Sequence, residues 1–208
     1  MKFKHYIITR MNVGIYDQPK SKEWMEHRIE LFEKYTLPSI LNQTNKNFTW
    51  VLCFDERTPN DVICKYDYLD NVEIYWDLPK YWIKTKPPET DWILTSRIDN
   101  DDYYMDTFVE DIQKEFISRK QHMVIDIGYL MLEEKTGDVY DMERPVYNSP
   151  FITLCEWWHT AEGVMAHEHT RAYNLYKGYI IPKYLSVQVI HDWNITNRAR
   201  GKKVDIKL

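Results

Sequence analysis

Apolar segments rich in β-branched and aromatic residues alternate along this chain with segments of helical periodicity. Strand-like segments in the first half lie at 5–9, 48–54, 72–75 and 92–96, and apolar residues at helical spacing occupy 21–41 and 105–116. This alternation is typical of an α/β domain with a largely parallel sheet. Because 208 residues can bury one substantial core but not two, we predict a single domain spanning 1–208.

The second half of the chain has a different pattern. Residues 123–142 contain two strand-like runs around Glu133–Gly137, which predicts an antiparallel hairpin, and another apolar strand is expected at 150–155. The central sheet should therefore be mixed but mostly parallel, flanked by helices. Two proline-containing segments, 78–90 and 141–150, are candidates for active-site loops.

Composition excludes several classes of protein. The six glycines form neither G-x-G-x-x-G nor G-x-x-x-x-G-K, so dinucleotide-binding and Walker A fingerprints are absent. A formal charge of -5 argues against a broad nucleic-acid interface. No apolar run reaches about 18 residues, so no membrane span is expected. Three widely spaced cysteines suit reduced thiols, and we expect a cytoplasmic protein.

Polar residues follow three of the predicted parallel strands. They are Thr9–Asn12 after the first strand, Asp55–Arg57 after the second, and Arg97–Asp102 after the fourth. In open α/β sheets ligands bind beyond the carboxyl ends of the strands, so we expect these three segments to line one crevice. Both carboxylates and guanidinium groups should meet there.

The acidic cluster Asp99–Asp102 has three carboxylates within four residues, and such a group is stable only if positive charge compensates it. A hard divalent ion, Mn²⁺ or Mg²⁺, that keeps waters and bridges to substrate phosphates fits one or two Asp ligands. Arg10 and Arg97 would hold the remaining phosphate charge, which points to a nucleoside diphosphate. The alternative is a solvated helix N-terminus, where acidic residues oppose the helix dipole.

Five segments together resemble the putative rhamnosyltransferase family, whose members are GT-A glycosyltransferases. The matching stretches cover most of the chain and are Tyr6–Arg10, Arg28–Ser39, Thr49–Thr58, Thr95–Asp102 and Val189–Asn194. The resemblance implies a GT-A-like fold, with a nucleotide-binding half at 1–102 and an acceptor-binding half at 103–208. It also implies that the acidic motif after the fourth strand binds a divalent metal and the nucleotide sugar.

The resemblance carries particular roles onto this sequence. Asp101 matches the direct metal ligand, Asp99 the position nearest the ribose and a metal-bound water, and His191 a third ligand near the end of such chains. His167 and His169 are rival histidines, although their side chains diverge if they lie on a helix. The residues expected to contact the nucleotide sugar are Thr9, Arg10, Asp55, Arg97, Asp99, Asn100 and Asp102.

An inverting transfer needs a carboxylate base beside the acceptor hydroxyl. Glu156 is the first candidate, because it follows an apolar strand and precedes Trp157 and Trp158, whose rings could pack on a sugar. Glu168 and Asp192 are the alternatives. For Glu156 the competing interpretation is a salt-bridged rim residue, and the tryptophans, with Trp193, are equally compatible with a role in the core.

The predicted reaction is metal-dependent transfer of a hexose, with rhamnose as one candidate, from a UDP- or dTDP-linked donor to a glycan or another hydroxyl acceptor. A sugar nucleotidyltransferase shares the layout but needs a glycine-rich basic loop after the first strand, and Thr9–Gly14 lacks one. A non-catalytic carbohydrate-binding protein is the other alternative, since a fold does not by itself imply turnover.

Overall fold

The computed structural model describes residues 2–142, 147, 149–194, 197–206 and 208. Part of the predicted loop 141–150 therefore lies outside the described residues. Within these ranges the strands are β1 Phe3–Arg10, β2 Thr49–Phe54, β3 Val72–Trp76, β4 Trp92–Arg97, β5 Tyr103–Tyr104, β6 Met123–Glu133, β7 Asp138–Asp141, β8 Thr153–Trp157, β9 Gly178–Ile190 and β10 Lys202–Val204.

Helical segments connect these strands. The α-helices are α1 Ser21–Leu31, α2 Leu37–Leu41, α3 Asn60–Ile63, α4 Pro79–Trp82, α5 Phe108–Arg119 and α6 Ala172–Leu175. A π-helical turn at Phe32–Thr36 joins α1 to α2, and 3₁₀ turns occupy Ile83–Thr85, Trp158–Thr160 and His169–Arg171. In the part of the chain that the structure describes, no helix combines the length and apolar character needed to cross a bilayer.

The strands form one mixed sheet in the order β10-β7-β6-β8-β4-β1-β2-β3, with β9 beside β6 and β5 beside β9. The block β3-β2-β1-β4 is parallel, whereas β8 runs antiparallel to both β4 and β6. The predicted hairpin is confirmed as β6 and β7. The fold class is therefore as expected: a mixed α/β domain in which the first half of the chain forms the parallel block.

Burial follows from this topology. The central strands β1, β2 and β4 carry runs of four or five consecutive buried residues, as expected when helices or loops cover both faces of a sheet. One face packs against α5 through Phe108, Ile112 and Phe116. The other face packs against α4 and the segment after β8, through Trp82 and Val164.

The predicted helix at 21–41 is interrupted in the structure. Its α-helical bonding changes to a π turn over Phe32–Thr36, and Pro38, which has no amide hydrogen to donate, lies directly after this turn as the second residue of α2. In the π turn, Thr36 Oγ1 donates to the carbonyl of Asp102 at 2.6 Å. The π turn thus connects the helical segment 21–41 to the acidic cluster through this hydrogen bond.

Candidate active site

The loops after β1, β2 and β4 meet at one edge of the sheet. Asn12 connects the first two, because its Oδ1 accepts from the Asp55 amide at 3.0 Å and its Nδ2 donates to Thr58 Oγ1 at 2.8 Å. Asn100 connects the third, since its Nδ2 donates to the carbonyl of Met11 at 2.8 Å. The structure therefore brings together the segments that the strand-end argument had placed in one crevice.

Asp101 is the centre of the acidic cluster and is buried. Its Oδ2 lies 2.9 Å from Nε2 of His191, which follows the carboxyl end of β9, and forms an ion pair with Nη1 of Arg28 in α1. Burial alone would raise the pKa of Asp101, but the hydrogen bond with His191 and the charge of Arg28 outweigh it and hold the pKa below its usual value. Asp101 is thus an ionised carboxylate at this edge.

His191 is held in place from several sides. Its backbone amide donates to Asn194 Oδ1 at 2.7 Å, and its Nδ1 lies 3.2 Å from Nε2 of His27. The Trp193 amide donates to Nδ1 of His191 at 3.3 Å, so Nε2 carries the proton and donates it to Asp101; a metal ion held by Nε2 would replace that proton. Trp193, at 5.8 Å between ring centroids, stacks on His27 and covers this side of the cluster.

The donor atoms of Asp101 and His191 fit a hard-cation site. Two neighbouring ligands of an octahedral ion with bonds of about 2.1 Å lie roughly 3 Å apart, as Oδ2 and Nε2 do. Among the described residues no group of three His, Cys, Asp or Glu side chains converges, so the protein would supply two ligands. Mg²⁺ and Mn²⁺ sites of this kind are completed by water and substrate phosphate.

The other acidic residues point elsewhere. Asp99 is partly exposed, and its Oδ1 lies 3.4 Å from Nη2 of Arg97, so it does not join Asp101 and His191. Asp102 is buried, and its Oδ1 accepts from the amide of Val189 at 2.8 Å. Burial, reinforced by the charges of Asp101 and Asp99, raises the pKa of Asp102 well above its usual value. Asp102 therefore joins the motif to β9, and its contact with the donor sugar stays a prediction.

The residues predicted to contact the nucleotide differ in whether their side chains can reach the crevice. Thr9 is fully buried and its Oγ1 accepts from Trp50 Nε1 at 3.0 Å, so its side chain belongs to the core and not to the crevice. Arg10 is exposed at the end of β1 and donates to the carbonyl of Val13 at 2.8 Å. Arg97 lies beneath the acidic loop, and its buried Nε has no hydrogen-bond partner among the described residues.

Asp55 lies at the other end of the crevice. Its carboxylate accepts from Arg57 Nε at 2.8 Å and from the Gly14 amide at 3.1 Å. The Arg57 guanidinium depresses the pKa of Asp55 strongly. A surface cavity of about 410 Å³ adjoins this pair and is lined by Val13, Asp55, Glu56, Arg57, Trp76 and Asp77. The cavity is large enough to hold a nucleobase beside the strand-end loops.

The structure does not bring Glu156, the first candidate for the base, into this site. Glu156 lies on β8 opposite Ile93, near the start of β4, whereas the acidic cluster follows the end of β4. Its two oxygens accept from the amides of Glu162 and Gly163 at 3.0 and 2.9 Å. Burial raises its pKa. Glu156 thus ties the segment after β8 to the sheet, and we do not retain it as the base.

The two alternative bases are exposed. The segment after β8 is attached to β4, because the Val164 amide donates to Oγ1 of Thr95 in the middle of that strand. Glu168 lies farther along the same segment and lines a small pocket together with Ile152. The Ile152 carbonyl accepts from the Arg97 amide at 3.3 Å, at the end of β4, and Glu168 itself lies 3.9 Å from Arg171. Asp192 adjoins His191 but pairs with Lys135 at 2.7 Å.

The remaining candidates lie outside the cluster. His167 pairs with Glu162 at 2.7 Å, and His169 lies in a separate 3₁₀ turn. Trp158 is buried in the core, while Trp157 packs edge-on against Trp92 at the opposite end of β4. Of the tryptophans proposed to stack on a sugar, only Trp193 lies beside the acidic cluster.

The sequence alone does not identify Arg28 and His27 as residues of this site, because nothing in their local sequence distinguishes them from other polar residues of α1.

A family model described as putative rhamnosyl transferase matches residues 16–203, which include the strand-end loops after β2 and β4 and His191. The chain belongs to this family. Among curated protein sequences none matches significantly. The family assignment confirms the resemblance carried by the sequence motifs.

Solved structures of S. aureus TarS share the fold of this rhamnosyl transferase family member. A complex of TarS 1-349 with UDP-GlcNAc superposes with a TM-score of 0.57 at 14% identity, covering 92% of this chain and 60% of that one. A complex with UDP gives 0.54 at 15% identity, covering 91% and 61%. The chain thus spans about three fifths of the TarS 1-349 structures, and the likeness supports the expected GT-A-like architecture.

Proposed function

We propose that this family member is a metal-dependent glycosyltransferase that moves a hexose, with rhamnose as one candidate, from a UDP- or dTDP-linked donor to a glycan or other hydroxyl acceptor. The observation that carries the proposal is the 2.9 Å approach of Asp101 Oδ2 to His191 Nε2 at the edge where the β1, β2 and β4 loops meet. Family membership and the likeness to TarS, which was solved with UDP and UDP-GlcNAc, support a nucleotide-sugar donor.

The donor would lie across the strand-end loops. Its base would occupy the cavity beside Asp55 and Arg57, and its diphosphate would extend toward the acidic cluster, with Arg10 and Arg97 offering guanidinium donors to phosphate oxygens. Asp101 and His191 would hold Mn²⁺ or Mg²⁺. When bound, such an ion supplies Lewis-acid stabilisation of the charge that develops on a departing diphosphate.

The acceptor side needs a base that can reach a hydroxyl group. We assign this role to Glu168, because its side chain is solvent-accessible and the segment that carries it lies near the end of β4. Glu168 would take the proton of the acceptor hydroxyl as the oxygen attacks the anomeric carbon. Asp192 is the alternative base, but its ion pair with Lys135 at 2.7 Å is tighter than the 3.9 Å approach of Arg171 to Glu168.

Nucleotide binding tests the donor assignment directly. A ligand that binds only the native state raises the unfolding temperature, so we expect UDP or dTDP to stabilise the protein in the presence of Mn²⁺ and much less without it. Release of nucleoside diphosphate from a UDP- or dTDP-sugar should also require Mn²⁺ and be lost in Asp101→Ala. Equal stabilisation with and without the ion, retained in Asp101→Ala, would contradict the proposal.

A further inference from the structure

Arg28 reaches the acidic cluster from a helix that contributes no strand-end loop. It lies in the last turn of α1, and its Nη1 forms an ion pair with Asp101 Oδ2, the same oxygen that faces His191. The Arg28 side chain is 16% exposed, and its guanidinium packs 5.2 Å from the ring of Trp24. The fold therefore places a positively charged side chain directly beside Asp101.

One donor of Arg28 is unused. Its Nη1 is taken up by the contact with Asp101, whereas its buried Nε has no hydrogen-bond partner among the described residues. An arginine fork normally satisfies its donors with carboxylate or phosphate oxygens, and buried donors left unpaired are costly. The buried Nε–H of Arg28 is therefore a donor that a further anionic acceptor would satisfy.

A divalent cation bound to Asp101 would lie next to this guanidinium. Like charges a few ångströms apart repel, and partial burial makes the repulsion stronger than in bulk water. An ion arriving alone would have to overcome this repulsion and displace an existing counter-ion. A diphosphate brought with the ion would offset the repulsion and offer an oxygen acceptor to the unpaired Nε–H of Arg28.

We propose that Arg28 is the resident counter-ion of Asp101 and makes binding of the divalent ion depend on the nucleoside diphosphate. This inference rests on the proposed function, since it concerns the same metal and donor. Arg28 would weaken binding of the ion alone and strengthen binding of the ion together with the diphosphate. Its role is to position charge, not to contact the reacting carbon.

The test is a titration of Mn²⁺, with free ion measured by electron paramagnetic resonance, in the presence and absence of UDP. For the wild-type protein we expect UDP to increase the affinity for Mn²⁺ at least tenfold, within the usual range of coupling between sites. Arg28→Gln should bind Mn²⁺ alone about tenfold more tightly than wild type and lose most of the coupling. Arg28→Lys, which keeps the charge, should stay close to wild type without UDP.

Lys22→Gln is a matched control, because it removes a positive charge from the exposed surface of the same helix. Circular dichroism and thermal unfolding would verify that each variant folds. Arg28→Met, which keeps the apolar stem, would provide the same readout if the glutamine variant did not fold. If Arg28→Gln binds Mn²⁺ no more tightly than wild type, the inference is overturned while the metal site stands. If wild type binds no Mn²⁺ even with UDP, both are overturned.

Discussion

His191 Nε2 lies 2.9 Å from Asp101 Oδ2, although the two residues are 90 positions apart in the chain. One follows the longest strand of the sheet, and the other belongs to the loop after β4. Hydrogen bonds from Val189 to Asp102 and from Asn100 to Met11 hold these two segments and the β1 loop in register. Because Asp101 is also the counter-ion of the buried Arg28, a substitution of Asp101 should affect folding as well as ligand binding.

We expect Asp101→Asn and His191→Ala each to abolish most of the Mn²⁺-dependent stabilisation by UDP. Loss of one ligand from a site with two protein ligands should slow sugar-dependent release of nucleoside diphosphate by about 100-fold or more, by analogy with the removal of one group that stabilises developing charge. Differential scanning fluorimetry and a coupled UDP-release assay measure the two effects. Asp106→Asn, an exposed carboxylate near the same loop, is the control and should behave like wild type.

Glu168→Gln and Glu156→Gln should have opposite effects. Glu168 is exposed, so its replacement should leave the free energy of unfolding within about 0.5 kcal/mol of wild type while reducing kcat by at least about 100-fold. Glu156 accepts two buried backbone hydrogen bonds, so Glu156→Gln should lower stability by about 1–3 kcal/mol and leave the rate of the folded fraction largely unchanged. Urea unfolding combined with steady-state kinetics separates these effects. Full activity in Glu168→Gln would remove Glu168 as the base.

His5 should make stability depend on pH. Its ring is buried between Ser96 Oγ, at 2.8 Å, and Gln113 Nε2, at 3.3 Å, and burial lowers the pKa of His5 to about 3. Because the unfolded chain takes up a proton near pH 6.5 and the folded chain does not, stability falls as the pH drops from about 6.5 toward 3.

Between pH 7.5 and 5 this effect should amount to about 2 kcal/mol. Urea unfolding at both pH values should show a smaller loss in His5→Gln than in wild type. His122→Gln, a histidine at the other end of β4, is the comparison. An equal loss in His5→Gln and wild type would contradict the assignment of this pH dependence to His5.

Gly178 should not tolerate a side chain without rearrangement. A Cβ at this position would lie 1.7 Å from Cε1 of Tyr173, whose hydroxyl donates to the buried carboxylate of Asp126 at 3.3 Å. We expect Gly178→Ala to destabilise the fold by about 1–3 kcal/mol, because the Tyr173 ring must move. In a double-mutant cycle with Tyr173→Ala the two costs should be far from additive. Additive costs would show that the ring is not the obstacle.

The amino-acid sequence predicts the elements of this fold well where the signal is local. Runs of consecutive apolar residues identify β1, β2 and β4, because a strand buried on both faces needs them, and the hairpin of β6 and β7 follows from its turn. The short strand β5 and the π turn escaped prediction. Both depend on partners distant in sequence, Ser186–Val187 for the strand and the Asp102 carbonyl for Thr36.

The sequence by itself determined the α/β class, the positions of the first four strands along the chain and the concentration of acid at the end of β4, since periodicity and strand-end chemistry are properties of neighbouring residues. Only the tertiary structure decided which groups meet there. It directed Thr9 and Glu156 into the core and joined Asp101 to Arg28 and His191. Side-chain direction and the pairing of buried charges depend on how helices and strands pack, and no local pattern encodes that packing.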